Sequence, residues 1–234
     1  MKPKVNHTKT IMPLEIIIGN LRETCKLFQL DTIQHVDQLM NRRRTNAELC
    51  DQWFYTADGE IYFLKGKQNI PTLAITRGSH NPVLIHMDDS FTKFTENYNY
   101  RLSQADVEQA LAAPETVQIA LPDLRLSERA SEYFNYLVIR TKPSKYGQLN
   151  REERKLAERV YGRGDDFVQN MKMLRDRGIR KTRIQVLNAN YVRTYAALSA
   201  IARVSWLGNF NYDSNFSASL RDIQNAYPIC GVRK

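Results

Sequence analysis

Residues 163–208 read RGDDFVQNMKMLRDRGIRKTRIQVLNANYVRTYAALSAIARVSWLG, and the fold of the chain turns on the middle of this stretch. Asp165 and Asp166 place negative charge where a helix macrodipole favours it, and Phe167, Met171 and Leu174 recur at helical spacing until Gly178 ends the run. Lys172, Arg175, Arg177, Arg180, Lys181 and Arg183 form a basic cluster. Within 181–188, Thr182, Ile184 and Val186 alternate with Arg183 and Gln185, the period of a half-buried strand. From Asn190 to Leu207, Ala, Leu, Ile and Trp surround most of a helical circumference, so a long central helix closed by Gly208 is expected.

A helix–turn–helix competes with the strand. In it Gly178 makes the turn, Ile179, Ile184 and Leu187 are buried, and Arg180, Lys181, Thr182, Arg183 and Gln185 reach a major groove. The order Gly-Ile-x-Lys-Thr-x-Ile-x-x-Leu-Asn over 178–188 resembles the turn and recognition helix of small DNA-binding domains. Period 2 fits these residues better than period 3.6, which favours the strand. The basic cluster is present either way.

Upstream, the pattern is that of a sheet. Trp53-Phe54-Tyr55 and Ile61-Tyr62-Phe63-Leu64 flank Ala57-Asp58-Gly59, and Asp-Gly between aromatic runs signals a hairpin. Residues 72–76, 82–86, 116–121 and 133–141 read as further strands. Residues 14–30 are either a short strand and a helix or one helix weakened at Gly19. A second helix begins at Asp31 and ends in Arg42-Arg43-Arg44, a solvated cap or a phosphate contact. Ser103 and Asn150 are helix N-caps. Lys142-Pro143-Ser144-Lys145-Tyr146-Gly147 marks a linker, and after an Asn/Tyr/Phe/Ser loop at 209–216 a last helix spans 217–226. The expected fold class is α+β: an antiparallel sheet over about residues 52–141 with flanking helices, then a mainly helical, basic part. The units are 1–141, a linker at 142–149, and 150–234.

No run approaches the ~20 apolar residues of a membrane span, and no small-residue cleavage site follows the N-terminus. Cys25, Cys50 and Cys230 are odd in number and far apart, which points to reduced thiols and a cytoplasmic location. Charge is segregated: residues 1–139 hold 15 Lys/Arg against 17 Asp/Glu, whereas 140–234 hold 19 against 8, a local net of +11. Such a one-sided field favours a polyanion.

The expected function is non-catalytic nucleic-acid binding, DNA slightly favoured over RNA, through a surface at 140–185. Its contacts would be Arg151, Arg154, Arg159, Arg163, Arg175, Arg177, Arg180, Lys181 and Arg183. One alternative is a metal-dependent enzyme acting on nucleic acid, centred on His80, His86, Asp88 and Asp89. Asp58, Glu60 and Lys65 also supply nuclease residue types, but Glu60 and Lys65 have opposite parity on a strand. The other alternative is a structural or assembly protein with a basic docking face, compatible with a homo-oligomer. Tyr98, Tyr100, Tyr133 and Tyr136 could stack on bases or pack the core. No glycine-rich phosphate loop, dinucleotide fingerprint or nucleophile elbow is present, so no catalytic residue, metal or cofactor is assigned.

Overall fold

Twelve consecutive residues, Phe54–Lys65, form one strand, β2, on which the rest of the molecule is assembled. The computed structural model describes residues 14–86, 100–126, 128–129, 131–210, 215–218 and 227–234. The strands are β1 (Glu15–Gly19), β2, β3 (Ile70–Arg77), β4 (Tyr100–Arg101), β5 (Val117–Ala120), β6 (Glu128–Arg129), β7 (Phe134–Arg140), β8 (Lys181–Leu187), β9 (Ile201–Leu207), β10 (Asn215–Ala218) and β11 (Tyr227–Gly231). The α-helices are α1 (Leu21–Leu27), α2 (Val36–Arg43), α3 (Pro82–Ile85), α4 (Gln104–Ala112), α5 (Arg151–Tyr161), α6 (Asp165–Asp176) and α7 (Ala189–Tyr195). The α+β class is as expected.

All the described strands belong to one sheet, in the order β1-β11-β2-β9-β10-β8-β7-β6. β3 and β5 extend it from the second half of β2, and β4 lies on β9. Most pairs are antiparallel, but β11 with β2 and β10 with β8 are parallel. β1 pairs with β11 from Glu15 opposite Gly231 to Gly19 opposite Tyr227, so the first and last described strands lie side by side. Apolar residues cover both faces of the centre. On one face Phe54, Tyr62, Leu73 and Ile201 pack with residues of α2, α5 and α6. On the other, Tyr55, Ile61, Ala202 and Ile229 pack with α1, α3 and α4.

Local chemistry explains several elements. Ser103 caps α4 in a capping box with Asp106, and Asn150 caps α5 in one with Glu153, both at the expected positions. The β2–β3 hairpin turns at Gly66 (φ 67°) and Asn69 (φ 49°), residue types that tolerate the left-handed region. Ala57-Asp58-Gly59 is therefore not the hairpin turn. It lies inside β2, where the register with β9 shifts between Tyr55 and Gly59, a bulge. The Asp58 carboxylate is fully buried there and accepts the Val36 N–H at 2.7 Å. Gly59 leaves room for Asn81, whose Oδ1 would sit 2.3 Å from an added Cβ.

The other differences have similar causes. Residues 181–187 are strand β8, paired with β7 on one side and β10 on the other, so there is no recognition helix at this position. The expected helix over 190–207 divides into the short α7, capped by Asn188, and the central strand β9. β9 is buried on both faces and lacks period-2 alternation, so its composition imitates a buried helix. The described residues of 150–234 thus hold three α-helices and four strands, not a mainly helical part. Residues 82–85 form α3, started by Asn81 and Pro82, rather than a strand. α2 is capped by His35, with a 3-10 turn at Leu30–Thr32 where Asp31 was expected to cap. The expected 217–226 helix overlaps β10 at 217–218 and otherwise lies outside the described residues.

Candidate functional site: an aromatic cluster at one end of the sheet

Of the nine cations expected to contact nucleic acid, one is buried and several of the others engage rings or a carboxylate. Arg159 is buried, donates to the Glu115 carbonyl at 2.8 Å, and is lowered to about 10 by burial. Arg154, Arg177 and Arg183 lie over the rings of Tyr146, Phe210 and Tyr136 at 5.2, 5.9 and 5.8 Å, and Arg163 stands 3.6 Å from Glu158. Arg151 is exposed on α5, Arg175 and Arg180 flank the end of α6, and Lys181 is half-buried on β8. Arg43, expected at a solvated cap or phosphate, is fully buried.

Of the expected metal centre only the two histidines are among the described residues, and they take separate partners. His86 Nε2 lies 2.9 Å from Asp106, and His80 is 3.8 Å from Glu115 on another contact. Asp88 and Asp89 lie outside the described residues, as does Tyr98. Asp58 and Glu60 are buried, while Lys65 is exposed and donates to Gln118 at 2.7 Å. Among the described residues no group of three or more His, Cys, Asp or Glu side chains is placed to hold a metal. Tyr100 is core, and Tyr133 stacks edge-on against Tyr191 at 5.2 Å.

What the fold does gather is aromatic. Tyr55 on β2 stands opposite Trp206 on β9 and opposite Ile229 on β11. Trp53, two residues before Tyr55, and Tyr227, two before Ile229, fall on the same face by strand parity. Trp53 and Trp206 touch with ring centroids 4.6 Å apart, Tyr55 meets Tyr227 edge-on at 5.4 Å, and Trp206 lies 6.4 Å from Tyr227. Tyr55 is buried beneath, whereas Trp53, Trp206 and Tyr227 are half-buried. Among the described residues the buried Trp206 Nε1 has no hydrogen-bond partner, nor do Gln52 Oε1, next in sequence to Trp53, and Asn209 Oδ1, just after β9. Unpaired buried polar atoms carry a desolvation cost that an added partner relieves.

One residue of α2 fixes this end of the sheet. Arg43 donates to the carbonyls of Leu49 (2.9 Å), Gln52 (2.7 Å) and Gly208 (2.8 Å), and its guanidinium lies 4.7 Å from the Phe210 ring. It thereby ties the chain entering β2 to the chain leaving β9, the two segments that carry Trp53 and Trp206. Burial lowers its pKa to about 10. Sequence reading missed the cluster because its members lie at 53, 55, 206 and 227. Trp206 had been placed on a helix, where it could not share a row with Tyr55.

No family model matches the chain, and no curated protein matches it. A solved structure from Nanoarchaeota is similar over 96% of this chain and 99% of its own, with a TM-score of 0.65 and 10% identity. It is described as showing how the C-type lectin fold accommodates massive sequence variation. That fold, together with β8 standing where the recognition helix was drawn, overturns the expectation of a nucleic-acid-binding protein and its helix–turn–helix. With this topology and this likeness, the chain adopts the C-type lectin fold.

Proposed function

We propose that this chain is a recognition module that binds a protein ligand through the face carrying Trp53, Trp206 and Tyr227. The carrying observation is the contact of these three half-buried rings on one row of the sheet, with the buried Trp206 indole N–H unpaired among the described residues. Trp and Tyr supply large contact area with few rotors to freeze and dominate the energetics of protein interfaces. In the Nanoarchaeota protein the same fold accommodates massive sequence variation, which suits a scaffold whose binding surface changes while its core persists. Free, buried Cys25, Cys50 and Cys230 are compatible with a reducing compartment.

The chain has two tryptophans and both are in the cluster, so intrinsic fluorescence reports the site directly. Labelled wild-type protein would be applied in parallel to a protein array from the source organism and to a glycan array. A protein ligand that alters the tryptophan emission, and whose affinity drops at least tenfold on Trp206→Ala, supports the proposal. A glycan ligand competed by free sugar, or a protein ligand indifferent to Trp53→Ala, Trp206→Ala and Tyr227→Ala, refutes it.

A further inference from the structure

We propose that the outer edge of β7 takes up an extended acidic peptide of a partner protein as an added β-strand. β7 has seven residues, but its outer neighbour β6 has two and covers Asn135 and Tyr136 only. Ladder parity says which backbone groups are left over. Asn188 N–H donates to the Tyr133 carbonyl and Thr141 N–H to the Arg180 carbonyl, so the odd-numbered residues of β7 bond β8. The N–H and C=O groups of Val138 and Arg140 therefore point away from β8. Among the described residues these four groups have no partner, and such a row is a template for strand pairing.

A cavity of about 530 Å³ runs along Leu137, Val138, Ile139 and Arg140, with Arg125 and Lys145 on its far side. Arg125 is held off β7 by the buried Glu153, through Nε to Oε1 at 2.7 Å and Nη2 to Oε2 at 2.5 Å, and by the Gln148 carbonyl at 2.7 Å. Glu153 neutralises Arg125, while Arg140 and Lys145 have no ion-pair partner among the described residues, so the slot is electropositive.

Charge and pleat together define the occupant. A peptide residue opposite Arg140 shares its face, with Cβ atoms ~5 Å apart, and an acidic side chain is favoured there. The next residue faces the opposite way, on the side of Leu137 and Ile139, where Leu149 lines the slot and an apolar side chain fits. The slot thus reads alternating acidic and apolar residues over about four positions at ~3.4 Å each. Strand addition is a recognised mode of peptide capture in which the backbone supplies affinity and alternate side chains supply specificity.

The test uses the full chain and an N-acetylated, fluorescein-labelled peptide, Glu-Val-Glu-Val-Glu-Val, read by anisotropy. Comparison peptides carry Lys for Glu, or N-methyl groups at alternate residues in either phase. Micromolar binding is expected, lost at least tenfold with Lys for Glu and with one of the two N-methyl phases. Val138→Pro removes an outward N–H without touching the β8 ladder, a position where an edge strand accepts proline, and is also expected to weaken binding at least tenfold. Arg140→Glu with Lys145→Glu should reverse the charge preference, while Trp206→Ala should leave it unchanged. No binding at low salt, or binding indifferent to both N-methyl phases, overturns the proposal even if Val138→Pro fails to fold. Self-association through β7 that excludes the peptide overturns it too.

Discussion

Arg43→Met tests whether one guanidinium holds the aromatic end of the sheet together. The wild-type side chain makes three hydrogen bonds to carbonyls of segments far apart in sequence. At ~1.5–3 kcal/mol for a bond to a charged group, their gross loss is about 7 kcal/mol. Against this stands the cost of burying the charge. The pKa falls from 12.5 to about 10, and at 1.36 kcal/mol per unit this is about 3 kcal/mol that methionine does not incur. The expected net destabilisation is about 4 kcal/mol. Urea unfolding followed by tryptophan fluorescence should then show a midpoint ~1.3–2 M lower, for a slope of ~2–3 kcal/mol/M. Arg43→Lys keeps a charge but lacks the planar fork that spans three acceptors, so it should recover less than half of the loss. A midpoint shift below ~0.5 M for Arg43→Met would show that the three carbonyls are equally well satisfied without the guanidinium, and the anchoring role would fall.

Burial is the largest influence on the Glu60 carboxyl and raises it to about 7, against the lowering effects of the Tyr62 hydrogen bond and of Arg203. A carboxyl raised from 4.5 favours folding below 4.5, and that contribution is lost as pH rises through 7. Stability should therefore fall by about 3 kcal/mol across this window, and urea unfolding of wild type against Glu60→Gln should show the fall only in wild type. Gly59→Ala drives a Cβ to 2.3 Å from Asn81 Oδ1, which already accepts the Val83 N–H, and should cost about 2–3 kcal/mol in the same assay. Asn150→Ala removes the N-cap of α5 and a bond to the Asp123 carbonyl; a loss of about 1–2 kcal/mol is expected, and none would mean that the α5 N-terminus is satisfied by solvent.

Elements whose signal is local were legible in the sequence. Ser103 and Asn150 start helices because a short polar side chain with an acidic residue three positions on satisfies the first-turn N–H groups, and this needs no tertiary information. β8 was legible because one of its faces is buried and the other half-exposed, which writes period 2 into Thr182, Ile184 and Val186. β9 was not, because a strand buried on both faces has no alternation to write. The Ala- and Leu-rich residues 196–200 before it then decided the reading wrongly. Asp58-Gly59 carried a true signal with a wrong referent: the pair marks a break in the ladder, but a bulge that buries the carboxylate under α2, not a chain reversal.

The site was illegible for a different reason, and the charge count shows why. Trp53, Trp206 and Tyr227 become neighbours only through the pairing of β2 with both β9 and β11, which no window of the sequence contains. The cations were conspicuous, but a sequence shows how many there are and not what they face. Arg43, Arg159 and Arg203 are buried, and Arg203 lies 4.7 Å from the Phe134 ring just as Arg43 lies on Phe210. Arg154, Arg177 and Arg183 likewise rest on aromatic rings. A guanidinium can bridge several carbonyls and stack on a ring at once, which lysine cannot, so a fold with long irregular connections between strands employs arginine as an internal strut. In the C-terminal half Arg159 and Arg203 act as such struts, while Arg151, Arg154, Arg163, Arg177 and Arg180 keep exposed positions. Within the basic stretch Arg159 therefore belongs to the framework, bonded to the Glu115 carbonyl, and a count of cations alone does not separate such a residue from those that face solvent.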